Sequence, residues 1–214
     1  MLTPKQMAWI KIAAFVAALI PLGRLFVLGL EGDLGANPVE FVTHSTGIWA
    51  LVMLMITLSM TPIRLLTGMT WPIRLRRMAG LFMFFYACLH FLTYIWLDHW
   101  FAWTEIGKDI VKHPYVLVGF SALLLTLPLA VTSNRAMMIK LGEHWKKLHR
   151  LVYPIAILGV LHFWWLVKKD IREPLIYALI LAVLFAIRLY YRRPAITRQP
   201  THSSTARKLE ANRL

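Results

Sequence analysis

Residues 149–167 read HRLVYPIAILGVLHFWWLV, an apolar run with one histidine at its start and another near its end. A helix needs roughly 20 mostly apolar residues to cross the hydrocarbon core of a bilayer, and this run has the length to do so. An imidazole inside such a run costs free energy in lipid and usually marks function. His149 and His162 are therefore the first residues to explain. Pro154 lies between them and is expected to kink the helix.

Working outward, the whole chain has the same character. Of 214 residues 58% are hydrophobic and 16% charged, with a mean hydropathy of +0.59, outside the balance of a soluble domain. Further apolar runs lie at about 8–30, 40–61, 74–97, 114–132 and 174–191. Together they predict an all-α membrane protein, a six-transmembrane helix bundle over residues 1–191. Residues 192–214, rich in Arg, Ser, Thr and Pro, read as a basic cytoplasmic tail without fixed structure. The first run is expected to be retained, since no small-residue cleavage site precedes Glu31. Asn37, Pro38 and Glu40 form a cap before the second run, and Pro72, Pro114 and Pro174 sit near later starts. No convincing internal repeat is visible. Cys88 is the single cysteine, which excludes an internal disulfide, a cysteine metal cluster and a covalently attached heme.

An even number of spans puts both termini on one side, and Lys and Arg decide which. With the termini inside, most of the 24 basic residues are inside too. Only Lys108, Lys112, Lys168, Lys169 and Arg172 fall outside, with Arg24 within the first span. Both termini are therefore expected to be cytoplasmic. The formal charge of +14 reads as topology and attraction to anionic lipid, not a nucleic-acid footprint.

This topology gives each histidine a depth. His99, His113 and His202 fall in loops or the tail, and His144 in the basic inner loop. His44 follows the outer start of the second span. His90 and His162 lie near the outer ends of the third and fifth, nearly level at ~1.5 Å per residue. Two level imidazoles on different helices can supply both axial nitrogens of one heme, leaving no open site for oxygen chemistry. The alternative is that each simply hydrogen-bonds to a carbonyl or Thr hydroxyl on a neighbouring helix. His149, roughly 20 Å from His162 along the axis, is far enough away for a second redox centre.

The runs LGEHWKKLHRLVYPIAILGVLHFWWLVKKD (141–170), RRMAGLFMFFYACLHFLTY (76–94) and GLEGDLGANPVEFVTHSTG (29–47) resemble the MsrQ family, also called YedZ. These are heme-binding membrane subunits of a protein-methionine-sulfoxide repair system, within the ferric-reductase-like transmembrane superfamily. The resemblance implies a multi-pass inner-membrane cytochrome holding heme b and FMN. It implies electron transfer from the quinone pool to a periplasmic molybdopterin partner, MsrP, with a cytoplasmic flavin reductase open as another donor. It suggests His90 and His162 as axial ligands of the heme iron and His149 as a second-heme or alternative ligand. FMN has no local motif. In the wider superfamily two helices each carry a histidine pair 13 or 14 residues apart. Here Arg77 and Arg76 stand that far before His90, so one heme in the outer half is expected.

Arg24 is an intramembrane cation, and either a heme propionate or snorkelling toward Glu31 would satisfy it. His44, with Ser45, Thr46 and Gly47, forms a polar small-residue patch near the heme level, which close helix packing would also explain. Arg74, Arg76, Arg77, Lys146, Lys147 and Arg150 surround His149, where they suit a flavin phosphate or quinone headgroup as well as ordinary inner-surface anchoring. Trp96, Trp100 and Trp103 read as an aromatic belt. Asp98, Glu105 and Asp109 read as solvated outer-loop charge. No catalytic residue is evident. The rival functions are a histidine-relay proton or metal-ion transporter, which the absence of deep carboxylates disfavours, and a cofactor-free anchoring subunit.

Overall fold

The computed structural model describes residues 2–167 and 170–191; the tail expected at 192–214 lies outside them. Nine α-helices and no strand occur among the described residues. Helix α1 (Pro4–Glu31) opens with a capping box, in which Thr3 and Gln6 exchange side-chain and backbone bonds, and stops at Gly32 in the left-handed region. Helix α2 (Pro38–Thr67) starts on the expected cap: Asn37 accepts from the Glu40 amide and Pro38 fills the first position, where its missing N–H has no partner to lose.

A 3₁₀ turn (Pro72–Leu75) leads into α3 (Arg76–Thr93), which continues through a π turn (Tyr94–Asp98). Then come α4 (Trp103–Lys112), α5 (Pro114–Val131), α6 (Arg135–Leu141) and α7 (Glu143–Leu148). After a 3₁₀ turn (His149–Leu151), α8 (Val152–Leu166) and α9 (Arg172–Tyr190) complete the described chain.

Five helical stretches are long and apolar enough to cross a membrane: α1, α2, Pro72–Asp98, α5 and α9. The sequence predicted a sixth at 149–167. There the chain forms the 3₁₀ turn and then α8, whose 15 residues reach only about 22 Å. Pro154 does not interrupt a long helix. It is the third residue of α8, within the first turn, where a proline has no intrahelical N–H bond to break.

Helix α2 is the most buried of the five crossing stretches, contributing Leu51, Met53, Leu54, Met55 and Leu58 to the core. The most extensive pairings are α2 with α3 and α5 with α8, so the bundle is built on two helix pairs. Helix α1 lies at the periphery, tied in where the Tyr86 hydroxyl donates to the Ala18 carbonyl at 2.7 Å. Helix α9 is tied to α2 by Arg188, which donates to the Leu58 carbonyl and, at 3.1 Å, to the Tyr153 hydroxyl.

Candidate functional site

Between the two pairs lies a cavity of about 480 Å³, and His90 of α3 and His162 of α8 both line it. That volume is within the usual range of small-molecule sites. The wall is mostly apolar, with Leu51, Leu54, Met83, Phe91, Phe120 and Phe163 among its residues. The two imidazole ring centroids are 6.0 Å apart and their planes cross at 75°.

Both rings use one nitrogen in the same way. His90 Nδ1 is 2.8 Å from the Thr43 carbonyl oxygen on α2, and His162 Nδ1 is 2.7 Å from that of Tyr115 on α5. A carbonyl oxygen only accepts, so each Nδ1 is the donor and, in the neutral ring, each Nε2 keeps its lone pair. The neighbouring-helix hydrogen bond weighed as an alternative to ligation is thus present, yet it consumes only one nitrogen of each ring. His90 and His162 are thus the residues present that would hold a heme iron here, one free nitrogen from each ring. Thr43 Oγ1, buried and without a hydrogen-bond partner among the described residues, adds a polar atom at the wall.

His44 also lines this cavity, its ring 5.8 Å from that of Phe163. Arg24 lines neither this cavity nor the second one and is exposed on α1.

A second cavity of about 520 Å³ adjoins the first at Met83 and Thr126, toward the Arg76 end of α3. His149 lines it together with Arg76, Arg77, Lys146 and Arg150, while Arg74 and Lys147 do not. The Trp145 indole stacks on the His149 ring at 3.9 Å, His149 Nδ1 is 3.1 Å from the Trp145 carbonyl, and Nε2 is 3.4 Å from Ser133 Oγ. Among the described residues no second histidine lines this cavity. Among the described residues no group of three or more His, Cys, Asp or Glu converges as a metal site.

Sequence reasoning missed the mouth of the first cavity, which is lined by Tyr94, Asp98, His99 and Asp109. The Asp109 carboxylate accepts from the Tyr94 hydroxyl and from His113 Nδ1, both at 2.7 Å, and lies 3.7 Å from His99 Nε2. Burial works to raise the Asp109 pKa, but the bonds from Tyr94 and His113 and the charge of His113 and His99 outweigh it, and the carboxyl is held below the usual carboxylate value. The carbonyls of Thr43 and Tyr115 were missed as well, since a backbone atom leaves no mark in sequence.

A family model described as a ferric reductase like transmembrane component matches residues 46–160. Among curated proteins, the chain is 52% identical over 192 residues to the protein-methionine-sulfoxide reductase heme-binding subunit MsrQ of Herminiimonas arsenicoxydans, covering 88% of each. It is 54% identical over 190 residues to the MsrQ of Rhodospirillum rubrum, covering 88% of this chain and 90% of that one. With the MsrQ of Ralstonia nicotianae it shares 50% over 194 residues, 89% of each. No solved structure matches the chain.

Proposed function

Since this chain belongs to the MsrQ family of ferric-reductase-like transmembrane proteins, a family of multi-pass membrane proteins, we propose that it is the b-type cytochrome subunit of a methionine-sulfoxide reductase system in the bacterial inner membrane. In this reading it passes electrons from the quinone pool, or from a cytoplasmic flavin reductase, to a periplasmic molybdopterin reductase of the MsrP kind that repairs oxidised proteins.

The observation that carries the reading is the His90–His162 pair, with ring centroids 6.0 Å apart in an apolar cavity and each Nδ1 bound to a carbonyl. His90 and His162 would hold the heme iron through Nε2. The Thr43 and Tyr115 carbonyls fix the tautomer, orient each ring and raise its basicity. A heme b held by two imidazoles supplies one-electron transfer with no open coordination position. His44 would border the ring edge. The second cavity is the proposed input side: Arg76, Arg77, Lys146 and Arg150 suit the anionic or carbonyl-bearing headgroup of a flavin or quinone, and His149 stands among them.

The test is an absorption spectrum of the purified protein made with ample heme. Dithionite reduction is expected to shift the Soret band and produce a sharp α band, and their absence would overturn the proposal. His90→Ala and His162→Ala should each lose most of the bound heme; normal heme content in both variants would overturn the ligand assignment alone.

A further inference from the structure

The two histidines sit in sockets of one design. Helix α2 offers the Thr43 carbonyl to His90 and, four residues on, places Gly47 against the same ring: a Cβ on Gly47 would lie 3.0 Å from Nδ1 and Cε1 of His90. Helix α5 offers the Tyr115 carbonyl to His162 and, four residues on, places Gly119 against it: a Cβ there would lie 2.7 Å from Nδ1 and 2.8 Å from Cε1 of His162. Residues four apart share a helix face, so in each case one face supplies both an acceptor and a gap. Each histidine also follows its carbonyl by the same 47 residues. The pairs α2–α3 and α5–α8 thus repeat a register that residue identities do not display.

Neither glycine is needed for its backbone conformation, because the positive-φ glycines are Gly32, Gly35, Gly68 and Gly142. Helix interiors disfavour glycine relative to alanine. What Gly47 and Gly119 provide is room for an imidazole edge to lie directly on the helix backbone. Of the glycines in the described chain, only these two would bring a Cβ within 3.4 Å of a neighbouring atom.

We propose that Gly47 and Gly119 are positioning residues for the axial ligands, setting the rotation of each imidazole about its Cβ–Cγ bond and holding the two ring planes crossed. This rests on the reading of His90 and His162 as ligands. Crossed imidazole planes give a ferric low-spin heme a strongly anisotropic electron paramagnetic resonance signal, whose largest g value responds to the angle between them.

The experiment compares full-length wild type, Gly47→Ala, Gly119→Ala and Gly23→Ala by heme per protein, largest g value and midpoint potential. A Cβ on Gly23 meets nothing within 4 Å, so that variant should match wild type. Gly47→Ala should keep its heme with a shifted g value and potential, since 3.0 Å demands a small movement. Gly119→Ala, with the closer approach, should weaken heme retention about tenfold or more, as losses in the shell around a metal ligand commonly do. If Gly119→Ala cannot be recovered as monodisperse protein, Gly47→Ala decides. Wild-type g value and potential in Gly47→Ala would overturn the proposal, as would an equal change in Gly23→Ala. Wild-type protein without heme would instead overturn the functional reading beneath it.

Discussion

At the scale of single residues, the chemistry is decided by which imidazole nitrogen is already committed. Nδ1 of His90 and His162 faces a carbonyl, so both rings can present Nε2 to the same space, whereas His149 has a hydroxyl near Nε2 and, among the described residues, no second histidine in its cavity wall. His149→Ala is therefore expected to leave the heme spectrum of the His90–His162 pair intact and to slow its reduction by quinol or reduced flavin by about tenfold, the size of effect usual for groups around a redox site. Stopped-flow reduction of the variant checks this, and loss of heme would contradict it. Another contact helps to hold α1: Tyr86 is fully buried and its hydroxyl donates to the Ala18 carbonyl, beside the Phe15–Phe82 ring contact. Tyr86→Phe should cost about 1 kcal/mol, read as a lower midpoint of thermal unfolding in detergent with heme still bound. The histidines were legible because imidazole is rare and costly in lipid. Gly119 was not, because within VLVGFSALLL it reads as one more small residue, and only its distance to His162 gives it meaning.

At the scale of elements, the region between α3 and α5 departs most from its sequence reading. It was expected as an outer loop with solvated charge, and it forms α4, with Ile106 buried and Trp103 and Val111 exposed. A ten-residue amphipathic helix is invisible to a search for spans, and its partners lie on other elements. Trp100 and Phe101 reach it through the left-handed region, φ 45° and 60°, at a cost of roughly 1–2 kcal/mol each for residues with a Cβ. Asp109 helps hold the result, facing Tyr94 and His99 from the α3 side and His113 at the α4–α5 junction, with Glu105, Lys108 and Lys112 on its own helix and Asp98 and Tyr115 nearby. Its folded pKa is depressed, so the carboxylate's contribution is present above the unfolded value near 4 and is lost as pH falls through the lower folded value. Protection factors of the α4 amides, taken relative to the intrinsic exchange rate at each pH, should therefore fall on acidification in the wild type. Asp109→Asn should already exchange faster at neutral pH, by roughly 1–2 kcal/mol of opening free energy, and show little further acid step. A variant that retained the full acid step would assign it to another group.

At the scale of the whole molecule, the contacts along α5 bear on the number of crossings. α5 is long and apolar enough to cross a bilayer. Near its start the Tyr115 carbonyl meets His162, and just past its end Ser133 meets His149. The chain from His149 to His162 thus runs alongside the length of a spanning helix. The 15 residues of α8 and the three of the 3₁₀ turn together reach about 28 Å, close to the ~30 Å hydrocarbon thickness. Hydropathy exposed the run but not its division into two helix types, which depends on how the His149 turn packs under Trp145. If the turn and α8 make a sixth crossing, Tyr191 at the end of α9 lies on the side of α1, where the sequence concentrates Lys and Arg. A fluorescent reporter that matures only in the cytoplasm, fused after Tyr191, should be bright, and alkaline phosphatase inserted at Gly107 in α4 should be active. A dark reporter after Tyr191 with active phosphatase at the same position would mean five crossings. That outcome would leave the His90–His162 cavity unchanged but reverse the direction in which α9 crosses, placing Tyr191 on the periplasmic face.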